Sequence, residues 1–170
     1  PAIERLEALV GQERVKNQMR ALQADFESQG FRRTDPASSS RFAPPQVFHS
    51  HIGFRMNVCL RGSSGTGKST IADLLGQIYY DLGLLSHSKR VVRSAAQLVS
   101  GNVGHTAEQV HQCVMEAMGS ELFIDEAYSL LTNQHGQEAI NQLVNDISAY
   151  EGQFAVVLAG YPRDMDQLMR

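Results

Sequence analysis

The run Gly62-Ser63-Ser64-Gly65-Thr66-Gly67-Lys68-Ser69 is the part of the sequence best suited to do chemistry. Its glycines permit a turn tight enough for successive backbone N–H groups to point inward at an anion, and a helix starting there adds its positive end. Phosphate is the natural guest. In that arrangement Lys68 reaches the β- and γ-phosphates of a nucleotide, while the Ser69 hydroxyl completes the shell of a bound Mg2+. Thr70, the next residue, is counted with the loop as a nucleotide contact. A glycine-rich turn that binds nothing is the competing reading, and a lysine and a hydroxyl directly after the third glycine weigh against it.

Further along, Leu122-Phe123-Ile124 runs into two carboxylates, Asp125 and Glu126. In a parallel sheet, ligands gather beyond the carboxyl ends of the strands, so both acids are expected beside the phosphate loop. Asp125 suits a position on or next to Mg2+, and Glu126, one residue further out, suits the polarisation of an attacking water. A strand end followed by an acidic helix start would look the same in isolation. Coupled to the glycine loop upstream, the pair points to phosphoanhydride hydrolysis.

The elements that must position these groups are legible from periodicity. Arg55 to Leu60 alternates Met56, Val58 and Leu60 against Asn57 and Cys59, which predicts a strand feeding the glycine loop. Ser69 to Leu82 places Ile71, Leu74, Leu75, Ile78, Tyr79 and Leu82 on one helical face before Gly83. Glu13 to Gln29 predicts an amphipathic helix through Val15, Met19, Leu22 and Phe26, stopped by Gly30. Beyond the loop helix, a strand over Arg90–Ser94, a helix over Thr106–Met118, a strand over Leu122–Asp125, a helix over Gln137–Tyr150 and a strand over Phe154–Ala159 are expected. Strands alternating with helices imply right-handed crossovers and a three-layer α/β/α domain on a parallel sheet. Residues 31–46, rich in Ser, Pro and Arg, cannot bury enough apolar surface to fix an element and are expected to form a mobile loop.

The 170-residue chain, 42% hydrophobic and 19% charged, suits a single nucleotide-binding domain over residues 1–170. Its net charge of −3 supplies no basic field for a nucleic-acid backbone, so no nucleic-acid partner is implied. There is no apolar run of membrane-spanning length and no secretory-signal layout at the start, so no membrane partner is implied and a cytoplasmic location is expected. Cys59 and Cys113 sit in apolar stretches and are expected as thiols, without metal or redox work.

Taken together, Gly62 to Ser69, Gly104-His-Thr-Ala-Glu-Gln-Val110, Leu122-Phe-Ile-Asp-Glu-Ala-Tyr-Ser-Leu-Leu131, Gly136-Gln-Glu-Ala-Ile-Asn141 and Val157-Leu-Ala-Gly-Tyr-Pro-Arg163 resemble the CbbX-like AAA+ family. That family holds the red-type rubisco activase and stage V sporulation protein K, and the likeness runs from Leu9-Val10-Gly11-Gln12 to the last residue. It implies a P-loop NTPase with sheet order 5-1-4-3-2, of which four strands are present here. It also implies ATP with Mg2+ held between neighbouring subunits of a homo- or hetero-oligomeric ring (a hexamer), and remodelling of a protein client of unknown identity. Val10 and Gly11 resemble the family's adenine-contacting entry. A plain helix start is the competing reading there.

Two positions depart from the family pattern. The central-pore loop of the family carries an aromatic two positions before Gly-His-Thr, where this sequence has Asn102, which cannot grip a threaded peptide by stacking. Where many AAA+ proteins carry a polar sensor after the fourth strand, Tyr161 and Pro162 stand here, so Tyr161 is the candidate sensor. The arginine finger, fifth strand and helical lid of the family would fall beyond Arg170, and the Arg55 to Leu60 strand would then be a sheet edge prone to association. An arginine finger contributes about three to five orders of magnitude in related sites, so slow turnover is expected of these residues alone.

Other candidates carry less. His49, His51, His105 and His111 lack the spacing of a metal site; His105 is placed in the pore-side loop and His111 on a helix surface. Tyr79, Tyr80, Tyr128, Met115 and Met118 read as core, and Lys89, Arg90 and Arg93 as a solvated edge. A nucleotide-gated assembly scaffold with little turnover is the alternative to a remodelling ATPase, favoured by Asn102. A P-loop kinase is a third reading, disfavoured by Glu126 directly after Asp125.

Overall fold

Four strands form one parallel sheet in the order β1-β4-β3-β2, the order expected without its fifth member. They are β1 (Val58–Arg61), β2 (Arg90–Ser94), β3 (Glu121–Asp125) and β4 (Ala155–Gly160). The structure is a computed structural model that describes residues 2–9, 13–28, 56–101 and 104–170. Val10, Gly11, Asn102, His49, His51, the loop over 31–46 and the Arg55 start of the first strand lie outside the described residues. Register is continuous across the sheet: Val58 pairs with Val157, Phe123 with Val157 and Arg90 with Glu121.

The strands β1, β3 and β4 face apolar residues both ways, as a parallel sheet covered on two sides requires, while the edge strand β2 buries Val91 on one face and leaves Val92 exposed on the other. On one side Leu60, Phe123, Val157 and Ala159 pack with α1 (Ala2–Glu7), α2 (Glu13–Ser28) and α3 (Lys68–Asp81). On the other, Val91, Leu122, Ile124 and Val156 pack with α4 (Ala95–Leu98), α5 (Thr106–Glu116), α6 (Gly136–Ala149) and α7 (Pro162–Leu168). The predicted helix after the glycine loop is α3, whose Leu74, Leu75, Ile78 and Tyr79 are almost wholly buried. Each such aliphatic side chain contributes about 1.5–3 kcal/mol by leaving water.

Several elements differ from the expectation. The first strand starts at Val58, because the buried Met56 and the exposed Asn57 precede the ladder, and Asn57 Oδ1 instead accepts from the Val156 N–H at 3.3 Å. Three short elements carry too little periodicity to show in sequence: α1, α4 and a 3-10 segment over Ala127–Thr132. At α4 the Ser94 N–H donates to the Gln97 side chain at 2.8 Å, one half of a capping box. Met115, read as core, is 37% exposed, because α5 turns it away from the sheet. The basic trio is not simply a solvated edge. Arg93 pairs with Glu116, and Arg90 donates to the Ser69 carbonyl at 2.7 Å with its guanidinium 5.2 Å from the Phe123 ring centre.

Candidate functional site: a phosphate loop facing two acids

β1 ends at Arg61, and the chain then turns through the glycine loop into α3. Gly62 N–H donates to the Gly160 carbonyl at 3.1 Å, so the loop is anchored to the end of β4. A Cβ on Gly62 would lie 2.5 Å from Thr66 Oγ1, which donates to the Ser63 carbonyl at 2.8 Å and closes the turn. Gly65 and Gly67 have φ of 76° and 82°, a backbone region that costs other residues about 1–2 kcal/mol. Gly67 caps α3 without a side-chain partner, so the first amides of the helix remain open to an anion.

Lys68 Nζ donates to the carbonyls of Gly62 and Ser63, at 2.8 and 2.9 Å. The ammonium thus lies folded over the loop where phosphate oxygens would accept from it. Across the cleft, Asp125 ends β3, and its Oδ1 accepts from the Glu126 N–H at 2.9 Å. Glu126 is exposed and has φ of 51° and ψ of 38°, the single described non-glycine residue with a positive φ. Ser64, Gly65, Gly67, Lys68, Ser69, Asp125, Glu126 and Tyr161 line one open cavity of about 320 Å³. Its polar groups fit a Mg-nucleotide: amides and an ammonium for the phosphates on one side, a hydroxyl and two carboxylates on the other.

Most of the expected residues therefore meet at one place. Gly62 and Ser63 contribute through their carbonyls, and Thr66 is turned back onto the loop. Thr70 is exposed in the first turn of α3 and stands outside the cavity lining. Tyr161 lines the cavity with its ring 5.7 Å from Lys68 Nζ and 5.8 Å from the ring of Tyr128. Tyr128 is partly buried against the core, as expected, and stands outside the cavity lining, reaching it only through the ring of Tyr161. Partial burial, with Glu126 close by, raises its phenol above the usual range. Arg90, bonded to the carbonyl of Ser69, escaped the sequence reading because a basic run on a strand carries no sign of which backbone it will meet.

Residues 58–170 match the profile of the ATPase family associated with various cellular activities, AAA. The chain belongs to this AAA family. Stage V sporulation protein K of Bacillus subtilis is 36% identical over 117 residues, covering 67% of this chain and 36% of that protein. The chloroplastic cbbX homolog of Guillardia theta is 39% identical over 116 residues, 66% of this chain and 31% of that protein. The ESX-1 secretion system protein EccA1 of Mycobacterium tuberculosis is 32% identical over 170 residues, 96% of this chain and 28% of its own length. The chain thus spans about a third of the length of these curated relatives. Its parallel sheet, order 1-4-3-2, is the α/β architecture of AAA nucleotide-binding domains. Among the described residues of this AAA chain, no helix is long and apolar enough to cross a membrane.

Proposed function

We propose that this chain binds Mg-ATP and hydrolyses its terminal anhydride bond, and that in the whole protein this drives remodelling of a protein client by a ring of subunits. The observation that carries the reading is the convergence of Lys68, Ser69, Asp125 and Glu126 on one cavity. The open amides at the start of α3 and the loop amides donate to the phosphate tail, and Lys68 exchanges its carbonyl partners for phosphate oxygens. Ser69 and Asp125 would hold a magnesium ion, which would supply neutralisation of charge developing on the phosphates. Glu126 accepts a proton from the water that attacks the γ-phosphorus, and ADP is the leaving group. Tyr161, directly after β4 and with its ring 5.7 Å from Lys68 Nζ, is read as the sensor that contacts the γ-phosphate.

Two substitutions test this. Glu126→Gln keeps nucleotide binding and loses turnover, because it removes the base and leaves the phosphate cradle intact. Lys68→Ala weakens binding, seen as a smaller rise in melting temperature on adding Mg-ATP. Wild-type chain whose melting temperature is indifferent to Mg-ATP would refute the reading. So would a Glu126→Gln chain that hydrolyses at the wild-type rate.

A further inference from the structure

Glu126 sits in a left-handed backbone conformation that costs a non-glycine residue about 1–3 kcal/mol, so its surroundings must hold it there. Its own carbonyl accepts from the Ser129 N–H at 2.9 Å, which fixes the start of the 3-10 segment. The segment as a whole is held from outside. Two residues beyond Glu126, the ring of Tyr128 lies so close to Gly160 that a Cβ there would sit 2.7 Å from Tyr128 Cδ1. Tyr161, the next residue, tilts its ring against that of Tyr128 at 49° between planes, an arrangement worth about 0.5–1.5 kcal/mol beyond burial. The Tyr161 ring in turn lies 5.7 Å from Lys68 Nζ.

These contacts form one chain across the mouth of the cavity, from the acid end of β3, through the end of β4, to the phosphate loop. Gly160 belongs to it twice. Its missing side chain makes room for Tyr128, and its carbonyl accepts from the Gly62 N–H. We propose that Tyr128 is a positioning residue for hydrolysis: by docking its ring on Gly160 and Tyr161 it fixes the 3-10 segment against β4 and aims the Glu126 carboxylate at the phosphate site. Tyr128 touches no substrate; it acts through Glu126. The proposal rests on the ATPase reading above, in which Glu126 is the base.

The test uses the full 170-residue chain and four variants: Tyr128→Phe, Tyr128→Ala, Glu126→Gln, and the last two combined. Hydrolysis of radiolabelled ATP is followed in single turnover, affinity by titration with a fluorescent ATP analogue, and folding by melting temperature. Tyr128→Phe keeps the ring and is expected to hydrolyse within about twofold of wild type. Tyr128→Ala is expected to slow hydrolysis on the order of a hundredfold, the cost of misplacing a catalytic group by about an ångström, with affinity changed less than about threefold. In the Glu126→Gln background, adding Tyr128→Ala is expected to slow hydrolysis no further, because both changes remove the same contribution. Equal slowing in both backgrounds would overturn the proposal, since Tyr128 would then act independently of Glu126. Wild-type turnover in Tyr128→Ala would overturn it too. If Tyr128→Ala melts below the assay temperature, Tyr128→Leu, which keeps bulk without the ring, takes its place with the same expectations. Failure of the ATPase reading is separately visible as a Glu126→Gln chain no slower than wild type.

Discussion

A Cβ placed on Gly76, midway along α3, would lie 2.8 Å from Oε2 of Glu121, the first residue of β3. Glycine inside a helix costs about 0.5–1 kcal/mol relative to alanine, so its presence here is explained by the carboxyl group beside it. Glu121 is fully buried, and neither of its oxygens makes a hydrogen bond of good geometry, the nearby Gly76 backbone N–H giving only weak support. Burial raises its pKa to about 8; Arg90, its neighbour across the ladder, pulls the other way and Asp73 on α3 adds to the rise. The folded chain therefore carries Glu121 as a neutral acid at neutral pH.

A neutral buried acid makes stability depend on pH in a defined direction. Between the usual carboxyl value of 4.5 and the folded value of about 8, the folded state holds a proton that the unfolded state has released. Stability from this group is thus fully present below about 4.5, falls as pH rises towards about 8, and levels off above it. Urea midpoints measured from pH 5 to 9 should show that decline in the wild type and a flatter profile in Glu121→Gln. Equal slopes in the two chains would show that Glu121 is not the group responsible.

The same contact sets the outcome of filling the helix. Gly76→Ala raises helix propensity, yet its methyl group would lie 2.8 Å from a carboxyl oxygen of the fully buried Glu121, and overpacking of this kind costs about 1–3 kcal/mol. A lower melting temperature is expected for Gly76→Ala, and recovery is expected when Glu121→Ala is added. A Gly76→Ala chain more stable than wild type would mean that the carboxyl moves aside freely.

How far the sequence could be read follows from how local each feature is. The β1, glycine loop and α3 unit was legible because Gly65, Gly67, Lys68 and Ser69 specify backbone and charge within a single turn. Sheet order followed from the family resemblance, and the β1-β4-β3-β2 ladder bears it out. Glu121 was passed over because a charged residue at a strand end reads as the solvent boundary, whereas tertiary packing, including that against Gly76 45 residues earlier, buries it. The left-handed Glu126 was equally hidden, since no residue type there announces a positive φ. Met115 misled because helical spacing gives a face and not its depth, and α5 leaves that edge open.

Arg90 offers a test of how the strand beside α3 supports the loop. Its Nη1 donates to the Ser69 carbonyl, one residue from Lys68, while its guanidinium plane rests near Phe123. Removing the charged donor in Arg90→Met should lower stability by about 1–2 kcal/mol, at the low end of charged hydrogen bonds because the contact is solvent-exposed. Arg90→Lys, lacking the planar fork, should recover only part of that. Chemical denaturation of the three chains decides the matter, and an Arg90→Met chain with an unchanged midpoint would show that the bond contributes nothing.

Gly136 carries the most severe steric demand among the described glycines. A Cβ on this first residue of α6 would lie 1.7 Å from the carbonyl oxygen of Leu130 and 2.6 Å from its carbon, both backbone atoms of the 3-10 segment that follows Glu126. Backbone cannot rotate away as a side chain would, so Gly136→Ala must push α6 off that segment, and a loss of about 3 kcal/mol or more is expected. The displaced segment also carries Tyr128, so hydrolysis should fall beyond what lost folding explains. Comparing turnover per folded molecule, with the folded fraction taken from circular dichroism at the assay temperature, separates the two effects. A Gly136→Ala chain of unchanged melting temperature would mean that α6 and the 3-10 segment are not packed as closely as the Leu130 contact requires.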